Sequence, residues 1–297
     1  MNITVTGGSG FIGSHIVDKL VKLKHKVRII DIVTPNRKDV DYHQIDITNF
    51  NKLKNSLKGT DCVFHLAAIS DINVAYKEPM KCREVNIGGT NNVLEISKQL
   101  KLKRFIFAST EWIYGLKKSL SNNGDFLIDD SNHIYTISKA SAEMLIYNYN
   151  KNYNLPFTIL RYGIPYGPRS RQGTLIYNFV NNALNNKPII IYGDGLQFRK
   201  FLYISDLALA NIKSLKPIAK NKTYNLNGVR KISVIDVANT IKDIMGNSIK
   251  IKYDNKRPSD FTGVEISSKK AKEELNWEPT TKFKEGMIKY INWIKKK

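Results

Sequence analysis

Short apolar runs alternate with helix-length segments over the first 165 residues. Runs of this kind, rich in Val, Ile and Phe, are typical of strands that are buried on both faces of a parallel sheet. Strands that alternate with helices predict an α/β fold built on a doubly wound parallel sheet. The predicted strands cover residues 2–6, 27–32, 61–66, 104–109 and 157–161, and the predicted helices cover 11–24, 50–58, 79–100 and 134–153.

The alternation stops after Pro165. Beyond it, loops that contain glycine separate shorter predicted helices. We therefore expect residues 1–165 to form a parallel-sheet domain. Residues 166–297 are expected to form mainly a smaller α+β lobe for the substrate, interleaved with the first domain over the carboxyl edge of the sheet. The helices of this lobe are predicted near 173–186, 205–215, 233–245 and 283–296.

The formal charge of +21 raises the question of nucleic-acid binding. Most of the basic residues are lysines scattered along the chain, and the only tight run is 295–297. We therefore expect no nucleic-acid partner, although a basic surface would attract an anionic substrate.

No stretch has the roughly 18 apolar residues of a membrane span. The first residues are predicted to form a strand and lack the pattern of a signal peptide. Cys62 and Cys82 have neither metal-ligand nor disulfide spacing. A cytoplasmic enzyme without a metal or a membrane partner is expected.

A glycine-rich segment connects the first predicted strand to the first predicted helix. Gly7, Gly10 and Gly13 have the spacing G-x-x-G-x-x-G, a variant of the dinucleotide-binding fingerprint. The first glycine permits a tight turn, the second lets the backbone approach a pyrophosphate, and the third lets the helix pack on the sheet. The backbone N–H groups of Phe11 and Ile12, at the start of the helix, would bind the phosphates.

Asp31 ends the second predicted strand. A carboxylate at this position accepts hydrogen bonds from the adenosine ribose and repels a 2′-phosphate, which favours NAD over NADP. Arg37 and the lysine after it would weaken this preference. Asp46 and Ile47 are predicted to border the adenine. For Asp46, the alternative is a role at the helix N-terminus that follows near Asn49.

Tyr135 and Lys139 are four residues apart in a predicted helix, so they share one face. An unperturbed tyrosine has a pKa near 10, too high for a base at neutral pH. A lysine ammonium and the positive nicotinamide ring would both lower that pKa. The pair therefore predicts a proton-transfer site beside a bound NAD.

The glycine-rich loop and the Tyr135/Lys139 pair, together with the further motifs given below, resemble in type and order those of the extended short-chain dehydrogenase/reductases. The specific resemblance is to the NAD-dependent sugar epimerase/dehydratase family, of which UDP-glucose 4-epimerase is typical. The resemblance runs from residue 2 to about residue 294, and it implies a Rossmann fold with bound NAD. The further motifs that carry it are His65-Leu66-Ala67-Ala68, Val85-Asn86, Ser109-Thr110, Ile113-Tyr114-Gly115, Leu160-Arg161-Tyr162, Tyr166-Gly167-Pro168-Arg169, Tyr192-Gly193-Asp194-Gly195, Arg199, Arg257-Pro258 and Asp260.

The resemblance implies a role for each matching position. Thr110 stands where the family places a catalytic Ser or Thr that bridges the substrate hydroxyl and Tyr135. Arg199 and Arg257 would hold the substrate diphosphate, a task that suits a planar, permanently charged guanidinium. Asp260 would lie near the nucleotide ribose. The residues implied to contact the cofactor are Leu66, Ala67, Ala68, Asn86, Tyr135, Lys139 and Tyr162.

Three positions depart from related 4,6-dehydratases or from the usual family pattern. Glu111 stands at the dehydratase acid position, but Trp112 replaces the glutamate base, and an indole cannot take a proton from carbon. Ile164 replaces an asparagine beside the substrate, and Lys200 replaces an aspartate.

The function expected is therefore a nucleoside-diphosphate-sugar 4-epimerase of the UDP-hexose type that acts through transient hydride transfer to bound NAD. The alternatives are a related 4,6-dehydratase, decarboxylase or 4-keto reductase, and a non-catalytic NAD-binding regulator. The resemblance also implies a homodimer formed through the helices near 79–100 and 134–153.

Overall fold

The computed structural model describes residues 1–115, 117–120, 126–129, 133–246, 248–255 and 266–296. The chain forms two compact units, and it passes between them several times. The first unit comprises Met1–Tyr162, Ala208–Asn225 and Lys269–Trp277. The second comprises Gly163–Leu207, Leu226–Ser268 and Glu278–Lys297. The assignment of NAD binding to residues 1–165 and of substrate binding to 166–297 stays a prediction.

The strands form one seven-stranded sheet in the first unit and four short two-stranded sheets. In chain order they are β1 (Asn2–Thr6), β2 (Lys26–Asp31), β3 (Asp41–Gln44), β4 (Cys62–His65), β5 (Arg104–Thr110), β6 (Lys117–Leu120), β7 (Phe126–Asp129), β8 (Phe157–Tyr162), β9 (Ile164–Tyr166), β10 (Ile189–Tyr192), β11 (Phe198–Arg199), β12 (Phe201–Tyr203), β13 (Lys222–Leu226), β14 (Ile232–Ser233) and β15 (Ile251–Asp254).

The α-helices follow the predicted positions closely in most cases. They are α1 (Phe11–Lys22), α2 (Phe50–Leu57), α3 (Ile72–Lys77), α4 (Pro79–Arg83), α5 (Thr90–Gln99), α6 (Ile134–Tyr153), α7 (Leu175–Leu184), α8 (Ile204–Lys213), α9 (Val234–Met245), α10 (Lys269–Leu275) and α11 (Phe283–Lys295).

Seven strands form the main sheet, in the order β13-β8-β5-β4-β1-β2-β3. The pairs β1–β2, β1–β4, β2–β3, β4–β5 and β5–β8 are parallel. All seven residues of β5 and all four of β4 are buried, as expected for central strands with both faces covered. The predicted Rossmann-type α/β fold is confirmed, and β3 and β13 are edge strands beyond the five predicted.

The core of the first unit lies between this sheet and three helices. Phe105 and Phe107 of β5 pack in one cluster with Leu53 of α2, Leu94 of α5 and Ile146 of α6. All five side chains are at most 1 % exposed. Burial of this kind stabilises the fold by about 1.5–3 kcal/mol for each large apolar side chain.

The helix predicted over residues 79–100 is interrupted. A π-helical turn, Glu84–Gly89, separates α4 from α5. Within it, a Cβ on Gly89 would lie 2.5 Å from Cδ1 of Ile47, so the backbone packs closely against the segment that leads into α2. Single π-helical turns inside α-helices occur frequently at functional sites.

The second unit is α+β, as predicted. It contains the short strand pairs β10–β15, β11–β14 and β9–β12, together with α7, α9 and α11. Ser233 and Asp236 form a capping box at the start of α9. None of the helices in the described part of the chain is both long and apolar enough to cross a membrane.

Candidate active site

The glycine-rich loop after β1 leaves no room for side chains at two of its positions. Gly7 has φ of +72°, and a Cβ there would lie 2.6 Å from the backbone nitrogen of Ala67. A Cβ on Gly13 would lie 2.1 Å from the carbonyl oxygen of Gly7. The tight turn and the close packing of helix on strand therefore both depend on glycine.

The start of α1 fits a diphosphate group. Its N-cap, Gly10, has no side chain to occupy the free N–H groups of Phe11 and Ile12, and the first turn carries no acidic residue. The buried hydroxyl of Ser9 has no hydrogen-bond partner among the described residues. Free N–H groups, the positive end of the helix dipole and an unpaired hydroxyl together suit an anionic ligand.

Asp31 lies beside this loop at the end of β2. Its carboxylate accepts hydrogen bonds from the backbone N–H of Ser9 (2.9 Å) and of Val33 (3.1 Å). These two bonds leave further lone pairs on the carboxylate for ribose hydroxyls. The guanidinium of Arg37, in contrast, is engaged by Asp18 at 2.8 Å and by both carboxylate oxygens of Asp39.

Asp46 and Ile47 precede α2. The Asp46 carboxylate accepts from both the backbone N–H and the hydroxyl of Thr48, at 2.9 and 2.8 Å. Asn49, two residues beyond Ile47, is the N-cap of α2. The local structure of Asp46 is thus the helix-start arrangement given above as the alternative. The Ile47 side chain is buried against Gly89, and adenine contact by either residue stays a prediction.

His65 joins the end of β4 to α5 through a directed chain of hydrogen bonds. Thr90 donates its hydroxyl proton to the carbonyl of Asn86 (2.6 Å), so it accepts from Nε2–H of His65 (2.9 Å). Nδ1 of His65 then accepts from the Thr6 hydroxyl (2.7 Å). Burial lowers the pKa of His65 to about 3, so the ring is neutral. This network fixes the backbone that leads into Leu66, Ala67 and Ala68.

Asn86, in the π-helical turn, connects that turn to the start of α6. Its side-chain amide bonds both backbone groups of Ile69, at 2.8 and 3.0 Å, and donates to Oγ of Ser138 at 3.0 Å. Ser138 in turn donates to the carbonyl of Tyr135 (2.7 Å). Asn86 therefore holds the backbone of Ile69, and its place at the nicotinamide end stays a prediction. Ser138, which the motifs did not identify, connects Asn86 to Tyr135.

The predicted catalytic residues meet at the end of β5. Tyr135, near the start of α6, shares a side-chain hydrogen bond with Thr110, the last residue of β5. One helical turn later, Nζ of Lys139 donates to the carbonyl of Ala108 (2.7 Å) and lies 4.6 Å from the centre of the Phe107 ring. The spacing of four residues thus places both groups against the same strand.

Burial shifts both ionisable groups toward their neutral forms. It raises the pKa of Tyr135 to about 12, against the opposing effect of the Thr110 hydrogen bond. It lowers the pKa of Lys139 to about 8, against the opposing effect of the Glu143 carboxylate. In the chain without ligands, desolvation is thus the largest effect on the pKa of Tyr135. The lowered pKa expected beside bound NAD stays a prediction.

Glu111 and Trp112 follow Thr110 in a 3₁₀ turn, Glu111–Gly115. The backbone N–H of Trp112 lies 3.3 Å from Oγ1 of Thr110. The Trp112 ring packs against the ring of His133, with 5.6 Å between the ring centres. Burial lowers the pKa of His133, so this neighbour of Trp112 is a neutral imidazole.

The remaining predicted positions belong to several elements of the two units. The Tyr162 hydroxyl donates to Oδ1 of Asn211 (2.6 Å) in a buried contact. Arg199, in β11 of the second unit, donates to the carbonyl of Phe198, and Lys200 contacts the carbonyl of Ile266 at 3.4 Å. Ile164 begins β9. Arg257 and Asp260 lie outside the described residues.

Residues 3–227 match the model of the NAD dependent epimerase/dehydratase family. The chain belongs to this family. Membership confirms the resemblance seen in the motifs, identifies the protein as an enzyme of this family, and confirms NAD as the cofactor. The glycine loop and the start of α1, which fit a diphosphate group, would hold the pyrophosphate of NAD.

The relatives of this chain are named for different reactions. A UDP-glucuronate 4-epimerase of Thermodesulfobacterium geofontis is 33% identical over 309 residues, covering 98% of this chain and 95% of the relative. A UDP-N-acetyl-alpha-D-glucosaminuronate decarboxylase of Bacillus cytotoxicus is 32% identical, covering 98% and 97%. The solved structure of UDP-glucuronic acid 4-epimerase from Bacillus cereus, in complex with UDP-glucuronic acid and NAD, has a TM-score of 0.89 at 30% identity and covers 100% and 99%.

Proposed function

We propose that the protein is a nucleoside-diphosphate-sugar 4-epimerase that acts on a UDP-linked sugar through bound NAD. The observation that carries this proposal is the contact of Tyr135, Thr110 and the Lys139 segment at the end of β5, without a second carbon base beside them at Trp112. The relatives that bind or epimerise UDP-glucuronate support the UDP-linked substrate class.

The chain's own residues would move one proton. NAD, when bound, supplies a reversible acceptor for the hydrogen on C4 of the sugar. The Tyr135 phenolate takes the proton of the 4-hydroxyl, with the Thr110 hydroxyl bridging the two oxygens. The Lys139 ammonium stabilises that phenolate, because an opposite charge nearby favours the ionised form. The same Tyr135 returns the proton after the sugar has turned, so a single acid–base group serves both directions.

Trp112 argues against 4,6-dehydration. Loss of water across C5 and C6 requires a base for the C5 proton and an acid for the departing hydroxyl. Glu111 stands at the position of the acid, but the indole of Trp112 has no lone pair that can accept a proton from carbon. The indole lies next to Thr110 and packs against the ring of His133.

The decarboxylase among the relatives is the reason to test the alternative reaction directly. The purified protein is incubated with UDP-, dTDP-, GDP- and CDP-linked sugars, and the products are identified by mass spectrometry and NMR. The proposal predicts a 4-epimer of equal mass with no net change in NADH absorbance. A product lighter by carbon dioxide or by water would contradict it.

A further inference from the structure

Glu143 is a buried carboxylate one helical turn beyond Lys139 on α6, with only 4 % of its surface exposed. Oε1 accepts hydrogen bonds from Oγ of Ser109 (2.5 Å) and Nε of Arg161 (3.0 Å). Oε2 accepts from Nη2 of Arg161 at 2.6 Å. The Arg161–Glu143 pair is therefore bidentate, a geometry that fixes position as well as charge.

The partners of Glu143 lie directly before two residues of the site. Ser109 precedes Thr110 at the end of β5, and Arg161 precedes Tyr162 at the end of β8. Ser109 and Arg161 are also opposite each other in the register of the two strands. One carboxylate on α6 thus holds the ends of both strands, and Lys139 binds the carbonyl of the adjacent Ala108.

The charged and titratable groups near Lys139 come from four elements. They are His65 on β4, Cys82 on α4, Tyr135 and Glu143 on α6, and Arg161 on β8, which pairs with Glu143. Burial keeps His65 neutral, raises the pKa of the Cys82 thiol, and keeps Tyr135 a phenol. Of these groups, Glu143 is the one carboxyl group, and it forms an ion pair with Arg161 at 2.6 Å.

We infer that Glu143 is a positioning residue of this site, which sets α6 against the ends of β5 and β8 and keeps the Lys139 ammonium charged beside Tyr135. The inference deepens the proposed function and rests on it for the role of Lys139 in proton transfer. The charge of Lys139 itself is measurable without any sugar.

The test is a titration of Lys139 by NMR in the full chain labelled with ¹³Cε-lysine, with and without saturating NAD. The Lys139 signal is assigned by its loss in Lys139→Met. In Glu143→Gln, the midpoint is expected about one pH unit lower than in the parent protein, because removing a nearby anion disfavours the ammonium. Glu143→Asp, which keeps the charge, should restore most of that shift.

Two further variants separate charge from folding. Ser109→Ala removes a neutral hydrogen bond from the same carboxylate and should leave the midpoint unchanged. If Glu143→Gln does not fold because Arg161 loses its partner, Glu143→Gln/Arg161→Gln removes both charges. Its midpoint should lie below that of the parent protein by less than in Glu143→Gln, because the lost guanidinium had also disfavoured the ammonium. An unchanged midpoint in the variant that folds would overturn the inference. Because the midpoint depends on no substrate, an error in the proposed sugar chemistry would leave this result intact.

Discussion

Tyr135 is held as a phenol in the ligand-free chain because burial outweighs the hydrogen bond from Thr110. The bound cofactor's positive ring and the Lys139 ammonium must therefore supply the charge that makes it a base. Lys139 can do so only below its own pKa of about 8. We expect activity to fall as the pH rises above that value, in the region where the ammonium is lost.

Replacement of Tyr135 by Phe tests this role. Tyr135→Phe should lower turnover by about 10²–10⁴-fold, the usual contribution of a general acid–base group, while NAD binding and the melting temperature change little. The matched control is Tyr149→Phe, on the same helix, whose hydroxyl bonds Glu95 and Asn91 instead. Steady-state kinetics should show nearly full turnover for the control. Near-normal turnover of Tyr135→Phe would remove it from the mechanism.

Asp31 leads to a prediction about cofactor choice. NAD should bind at least tenfold tighter than NADP, a difference of about 1.4 kcal/mol, because the carboxylate repels a 2′-phosphate. Isothermal calorimetry on cofactor-stripped protein measures both affinities. Since Arg37 is engaged by Asp18 and Asp39, Arg37→Gln should leave the ratio nearly unchanged. Equal affinities in the parent protein would show that Asp31 does not select the cofactor.

At the scale of elements, apolar runs located the central strands and most helices, but other features carry no such signal. The edge strand β3 reads Asp-Tyr-His-Gln, so it lacks the apolar run that marks a buried strand. The π-helical turn between α4 and α5 depends on close packing of Gly89 against Ile47, which lie far apart in the sequence. Periodicity alone therefore predicted one continuous helix there.

The π-helical turn offers a matched pair of glycines. Gly89→Ala should destabilise the protein by about 1–3 kcal/mol, because its Cβ would overlap the Ile47 side chain. Gly88→Ala meets nothing within 4 Å and should be neutral or stabilising by up to about 1 kcal/mol, since alanine is the better helix former. Urea unfolding of both variants measures the difference. Equal effects would mean that the packing at Gly89 does not constrain the turn.

At the scale of the whole molecule, the first unit exposes apolar side chains on helices that contact one another. Tyr76 of α3, Met80 of α4 and Met144 of α6 are 82%, 69% and 72% exposed, and α6 contacts both α3 and α4. Of these helices, α4 and α6 lie in the segments near 79–100 and 134–153 that the family resemblance predicts to form a homodimer, and α3 packs beside both. Sedimentation should give twice the chain mass of 33.9 kDa.

The dimer prediction has a matched pair of variants. Met144→Glu should shift the protein to monomer, because it places a charge in the predicted apolar contact. Leu196→Glu, at a residue of the second unit that is 67% exposed, should leave the mass unchanged. A monomeric parent protein, or a Met144→Glu variant that stays dimeric, would contradict the predicted contact.

The motifs placed Tyr135, Lys139 and Thr110 in one site because helix spacing and the ends of parallel strands follow directly from sequence order. They did not reveal Ser138, nor the link from Glu143 to Arg161. Both depend on side-chain contacts between distant segments, Asn86 with Ser138 and Ser109 with Glu143. The spacing of Glu143 four residues after Lys139 was the one local signal for that link.

The measurement that tests the central claim most directly is incubation of the enzyme and NAD with UDP-glucose, UDP-N-acetylglucosamine and UDP-glucuronate in deuterated water. Epimerisation at C4 returns the same hydrogen to the same carbon, so at least one of these sugars should give its 4-epimer without carbon-bound deuterium and without net NADH. Deuterium at C5 with loss of the 6-hydroxyl, or release of carbon dioxide from UDP-glucuronate, would contradict the account and the role given to Trp112.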